Sequence, residues 1–218
     1  MRGRGGFSYR MIASVFRAKP IPERSRGRVV KVLAINGSPR KNGNTQVMID
    51  AAAQELKKAG IKVEAISMAD YEVRPCDACE KCYKKPWGCP IKDDAVAILK
   101  KMVAADGILL GSPVYCGGVT AQLKALLDRS IMPYQASQFK DKIGGALTVG
   151  GAKNGGQELT LIQINTYFLM FDMIVASAEG GFYGGMATGN DAGDVRKDKE
   201  GMDKARGVGR RMAHLLKR

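Results

Sequence analysis

Histidine is almost missing from this chain, and long apolar runs are missing altogether. His214 is the sole histidine among 218 residues. That scarcity argues against histidine-based metal sites and against triads that need an imidazole base. His214 lies on a basic C-terminal segment and reads as a surface residue. No stretch approaches the roughly 20 apolar residues of a membrane-spanning helix. The apolar stretch at residues 11–16 is too short for a secretory signal. The expectation is a cytoplasmic protein with reduced thiols and no membrane partner. At this length one domain suffices, large enough to build a core without disulfide staples. With 45% hydrophobic and 26% charged residues, the composition is that of a globular chain.

The net charge of +14 is unevenly placed. Residues 1–28 hold Arg2, Arg4, Arg10, Arg17, Lys19, Arg24, Arg26 and Arg28 against Glu23 alone, a net +7 that is half of the total. This Gly-, Arg- and Pro-rich stretch lacks periodicity and reads as a flexible extension, or as sequence upstream of a start at Met11. A basic arm for nucleic acid or anionic lipid is the competing reading, but no nucleic-acid partner is expected. The folded domain is placed at residues 29–218.

What the chain does have is a dense cysteine run. Four of its five cysteines, Cys76, Cys79, Cys82 and Cys89, fall within fourteen residues as C-x2-C-x2-C-x6-C, with Pro90 next. Two-residue gaps let successive sulfurs face one compact group. The run is similar to that of bacterial ferredoxins, with the last gap widened so that Cys89 can return to the same cluster. Iron–sulfur ligation ranks ahead of zinc, whose four-cysteine sites come as two separated C-x2-C pairs. Redox-active thiols rank lower still. The fifth cysteine, Cys116, lies apart and reads as a small apolar filler ahead of a ligand-side thiol.

From residue 29 onward, strand and helix patterns alternate. Strands are predicted at 29–36, 62–68, 107–111, 143–149 and 173–178. Helices are predicted at 45–59, from 93 through 103, and at 119–129, 157–171 and 198–217. The cysteine segment occupies about 70–91, and 178–194 reads as a long irregular loop with six glycines. Five strands alternating with five helices imply an α/β fold, a flavodoxin-type doubly wound parallel sheet in the order 2-1-3-4-5. Ligands of such sheets bind beyond the carboxyl ends of the strands, where the order reverses.

Three loops meet at that edge. Residues 36–45 (NGSPRKNGNT) run from a strand into a helix N-terminus, where free N–H groups and the helix dipole favour a phosphate. Ser38, Asn42, Asn44 and Thr45 add polar groups, and Arg40 a planar charged fork. The loop matches neither the P-loop nor the G-x-G-x-x-G pattern. In residues 111–118 (GSPVYCGG), Pro113 stiffens the turn, Val114 follows it, Tyr115 offers a flat face, and Gly117 lets backbone approach a planar ligand. Gly150 and Gly151 do the same after the fourth strand. One phosphate loop and two glycine-rich loops together suggest a flavin mononucleotide (FMN) site.

Through GSPRKNGNT, GSPVYCGGVTAQLKALLDR and VGGAKNGGQE, residues 29–178 resemble the NADPH-dependent FMN reductase family. With the cysteine run added, the chain resembles the iron–sulfur flavoproteins of that superfamily. The resemblance implies FMN, a [4Fe–4S] cluster on Cys76, Cys79, Cys82 and Cys89, and a homo-oligomer, dimer or tetramer. It also implies electron transfer between a ferredoxin-like donor and another acceptor. Ser38, Arg40, Asn44 and Thr45 would hold the phosphate; Pro113, Tyr115, Gly117, Gly150 and Gly151 would line the ring. The strand order sends the ring away from its own cluster loop. A neighbouring subunit is therefore expected to present its cluster, with Tyr83, Trp87 and Pro90 at the contact. Two alternatives stand: an NAD(P)H-dependent flavin or quinone reductase, and a zinc-stabilised flavodoxin-like binding protein.

Overall fold

The computed structural model describes residues 28–85, 87–134 and 137–218. Most of the basic extension lies outside them. Arg28 is described, and its guanidinium pairs with Asp106 at 2.5 Å.

The strands form where apolar and β-branched residues cluster. β1 (Lys31–Asn36) is followed by α1 (Asn44–Lys58), β2 (Lys62–Ser67) and α2 (Ala95–Ala104). Next come β3 (Gly107–Pro113), α3 (Ala121–Arg129), β4 (Ile143–Gly150) and α4 (Gln157–Met170). β5 (Ile174–Ala176), β6 (Gly185–Thr188) and α5 (Lys199–Leu216) complete the chain. The strands are parallel in the order β2-β1-β3-β4-β5, as the alternation predicts. The 178–194 stretch corrects the reading of an irregular loop, because β6 lies within it. β5 pairs with Ile143–Gly145 and β6 with Leu147–Gly150, so two short strands share one edge of β4. A four-residue GMAT strand carries no signal of its own; the exposed edge of β4 creates it.

β1 shows how the sheet divides the core. Leu33 and Ile35 join α2, α3 and α4 on one face, through residues such as Leu99, Leu126 and Ile164. Val32 and Ala34 join α1 and α5 on the other, through Met48, Leu56 and Val208. This is the period-two alternation of a strand buried on both sides. The α1–α5 contact is close: a Cβ at Gly209 would run into the carbonyl of Ala52.

Candidate functional site

The phosphate-loop candidate begins at the buried end of β1. Asn36 is fully buried; its Nδ2 donates to Gln46 Oε1 at 3.0 Å, and its Oδ1 accepts from Ser38 N–H at 2.9 Å. Ser38 Oγ then accepts from Arg40 N–H at 3.0 Å. Two successive side-chain-to-backbone bonds thus curl residues 36–40 over the start of α1. Gly37 N–H donates to Gly111 O at 2.7 Å, locking the loop to β3. Its missing Cβ leaves room for Leu123 Cδ2, which would stand 2.8 Å away. Among the described residues no side chain caps α1, whose N-cap is Gly43. Uncapped N–H groups of a helix start attract an anion. Thr45 is buried beside them, and Arg40 and Asn42 are exposed at the rim.

Asn44 is engaged elsewhere. Its Nδ2 donates to Asp191 O at 2.8 Å, and its Oδ1 accepts from Gly193 N–H at 2.8 Å and Val195 N–H at 3.3 Å. The glycine-rich segment after β6 is thereby pinned to the phosphate loop. Asn44 therefore shapes the loop with its side chain, a role that spacing alone did not reveal.

The loop after β3 turns sharply. Tyr115 and Gly118 exchange both backbone hydrogen bonds, at 2.9 and 3.0 Å, around Cys116 and Gly117. Both central residues have positive φ, 49° and 79°, as a type I′ turn requires. Cys116 is exposed at the tip. That corrects the reading of an apolar filler, since the turn geometry points it outward. Tyr115 is half-exposed, and nothing lies near the open side of Gly117. The loop after β4 meets this turn: a Cβ on Gly156 would sit 3.3 Å from Gly117 Cα and 3.3 Å from Val114 Cγ1. Gly150 makes room for the Gln157 amide, whose Nε2 donates to Ala152 O at 2.8 Å. Gln157 Oε1 is buried without a partner among the described residues. A buried acceptor of that kind suits a ligand N–H. The helix α3 joins this region to the phosphate loop, because its N-cap Thr120 donates from Oγ1 to Gly37 O at 2.6 Å.

A pocket lies at the other end of α3. Cys76, Cys79, Cys82 and Cys89 all line it, with Asp77, Glu80, Pro90, Arg129, Ile131 and Met132. Ala78, Glu80 and Trp87, none of them glycine, take positive φ of 52°, 58° and 64°. Such strain persists where surrounding structure or a ligand compels it, and it concentrates at functional sites. Burial pushes the Cys82 thiol up, and the nearby Cys76, Cys89 and Cys79 push it the same way. Four thiolates in one pocket repel one another, and cations among them relieve that repulsion. No three His, Cys, Asp or Glu side chains among the described residues converge tightly enough for a single metal ion. The four cysteines instead line one pocket together, a donor set of the kind an iron–sulfur group takes.

Beside the pocket is an ion pair that no local sequence pattern announces. Arg129 and Asp93 meet at 2.8 Å with 1% and 0% of their side chains exposed. Arg129 Nη1 also donates to Arg74 O at 3.0 Å, and Nη2 to Asp93 Oδ1 at 3.2 Å and Cys89 Sγ at 3.3 Å. Asp93 accepts further bonds from Arg74 N–H and Ala95 N–H, at 2.8 and 3.1 Å. Burial disfavours its charge, but the Arg129 bond and the two N–H bonds outweigh that and hold its carboxyl below the usual range. A basic residue ending an amphipathic helix is ordinarily read as dipole compensation. Only the fold brings Arg129 to Asp93 and Cys89. Trp87, expected at a subunit contact, packs partly against the core, whereas Tyr83 is 44% exposed.

The parallel sheet, its reversal of order and the loops at its carboxyl edge define a flavodoxin-like α/β protein. The NADPH-dependent FMN reductase family matches residues 30–183, and the chain belongs to that family, among its iron–sulfur flavoproteins. It is 46% identical over 190 residues to an iron–sulfur flavoprotein of Methanocaldococcus jannaschii, covering 86% of this chain and 98% of the relative. It is 38% identical over 188 residues to an iron–sulfur flavoprotein of Methanosarcina thermophila, with 86% and 95% covered. Among solved structures, a WrbA-like flavodoxin from Agrobacterium tumefaciens superposes with a TM-score of 0.60 at 21% identity, covering 87% of this chain and 98% of that one. Among the described residues no helix is long and apolar enough to cross a membrane.

Proposed function

We propose that this chain is an electron-transfer flavoprotein that holds FMN at the loops after β1, β3 and β4 and a [4Fe–4S] cluster on Cys76, Cys79, Cys82 and Cys89. The observation that carries the reading is the gathering of all four cysteines around one pocket, joined by a single helix to the uncapped α1 terminus. Ser38, Arg40, Asn42, Thr45 and the first N–H groups of α1 would bind the phosphate, with Asn44 holding the loop closed. Pro113, Val114, Tyr115, Gly117, Gly150 and Gly151 would line the ring, and Gln157 Oε1 would accept from a ring N–H. When bound, FMN exchanges electrons in pairs or singly, and the cluster exchanges them singly. The chain's own task is to place the two groups and set their surroundings.

The donor in this reading is a small acidic ferredoxin-like protein, which the positive net charge would steer inward. A homo-oligomer is part of the same proposal, each subunit presenting its cluster segment to a neighbour's ring. The second reading is an NAD(P)H-dependent flavin or quinone reductase, favoured by the family's own description. Anaerobic stopped-flow mixing separates the two. Reduced ferredoxin should bleach the protein rapidly, more slowly as salt rises, while NADPH acts slowly. Rapid bleaching by NADPH with no response to ferredoxin would favour the reductase.

A further inference from the structure

We infer that Arg129 is the positioning residue that sets the reduction potential of the cluster site by donating a hydrogen bond to Cys89. The inference rests on the cluster reading above and goes beyond it. Arg129 lines the cysteine pocket from below, and its Nη2 reaches Cys89 Sγ at 3.3 Å. Its remaining donor, Nε, is buried with no partner among the described residues. Buried N–H groups are nearly always satisfied in folded proteins. An orphaned one on a residue lining this pocket suits a sulfur acceptor.

The surroundings make the guanidinium a rigid donor. Asp93 grips both Nη atoms, and Arg74 O accepts from Nη1. Asp93 is itself held by the N–H groups of Arg74 and Ala95. Every link belongs to the cysteine segment or to the entry of α2, so the donor and its sulfur move as one body. Because Asp93 neutralises most of the cation's long-range field, the directed N–H bond to Cys89 remains as the effective term.

One-electron reduction adds a negative charge to the cluster and its thiolates. An N–H bond to a ligand sulfur stabilises that charge and raises the potential. Replacing Arg129 should therefore favour the oxidised form. Part of such a charge-assisted bond depends on redox state, so its loss should lower the reduced-to-oxidised ratio at a fixed ambient potential about tenfold. For a one-electron couple that is a shift of about 59 mV downward.

The test is a dithionite titration of the anaerobic holoprotein, following cluster absorption and electron paramagnetic resonance. Arg129→Met combined with Asp93→Asn removes both buried charges together and leaves neither uncompensated. Arg129→Lys keeps the charge opposite Asp93 but loses the planar fork, and it serves if the double variant does not fold. Both should retain iron and FMN and show a lower cluster potential, with the flavin potential unchanged. An unchanged cluster potential in an iron-replete variant would overturn the inference. So would loss of iron from both variants with FMN retained, since Arg129 would then build the site rather than tune it. Absence of iron from the wild-type protein would instead defeat the cluster reading.

Discussion

At the scale of single residues, the phosphate loop and the buried ion pair make opposite demands on charge. Arg40 is exposed and Thr45 is 2% exposed at the uncapped start of α1. The two side chains therefore act on a phosphate from the rim and from the floor. Each bond is worth roughly 1–3 kcal/mol. Arg40→Ala with Thr45→Ala should weaken FMN about tenfold or more and leave riboflavin, which lacks the phosphate, nearly unaffected. Equal weakening of both in fluorescence titrations would move the phosphate elsewhere. Asp93 poses the reverse problem, because its charge is buried and must stay. Asp93→Asn leaves Arg129 uncompensated and should cost about 3–5 kcal/mol in denaturant unfolding. The folded carboxyl lies below its usual value. Its contribution is therefore complete above about pH 3.9 and disappears as pH falls through the lower folded value. Wild type should thus lose its advantage over Asp93→Asn in acid; a gap that widened there would contradict the assignment. Arg129 itself was not legible in sequence. It sits where any amphipathic helix might end in a basic residue, and its partners Arg74, Cys89 and Asp93 lie 36 to 55 positions away. The cysteines, by contrast, were legible because their spacing is local. Asn44 was legible as polar, but its side-chain partners were not, since Asp191 and Gly193 come to it from the far end of the chain.

At the scale of elements, the strands and helices that bury a whole face were legible, and those made by their neighbours were not. β1 and β3 announce themselves as continuous apolar runs, and α3 by its spacing of Leu123, Leu126 and Leu127. β3 also runs on through Ser112 and Pro113, which read as loop; parallel pairing with Thr148 and Val149 extends it. β6 exists because Leu147–Gly150 offers it a ladder. Close packing of α1 on α5 likewise depends on an absence, the missing side chain of Gly209. Alanine in place of glycine normally favours a helix interior by roughly 1 kcal/mol. Here the added Cβ would meet the Ala52 backbone, and overpacking of that kind costs about 1–3 kcal/mol. Gly209→Ala should therefore lower the melting temperature; a higher one would show that the two helices can separate freely.

At the scale of the whole molecule, α3 organises the proposal. Its Thr120 end holds the phosphate loop and its Arg129 end underlies the cysteine pocket. Nine helical residues place those ends about 13 Å apart. On the same face of the sheet, α4 leaves Leu159, Leu169 and Met170 more than half exposed. A second copy covering such residues would fit the proposed assembly. Sedimentation of the holoprotein should give a dimer or larger oligomer. A monomer whose cluster and flavin exchange electrons at the full rate, independent of concentration, would refute that part. More basic is the proposed pairing of two different redox groups at the two ends of one helix. Metal and flavin analysis of anaerobically purified protein tests it most directly. The account predicts about one FMN and about four iron atoms per chain, in a yellow-brown protein. Zinc in place of iron, or iron that persists at full content after Cys79→Ala, would contradict it.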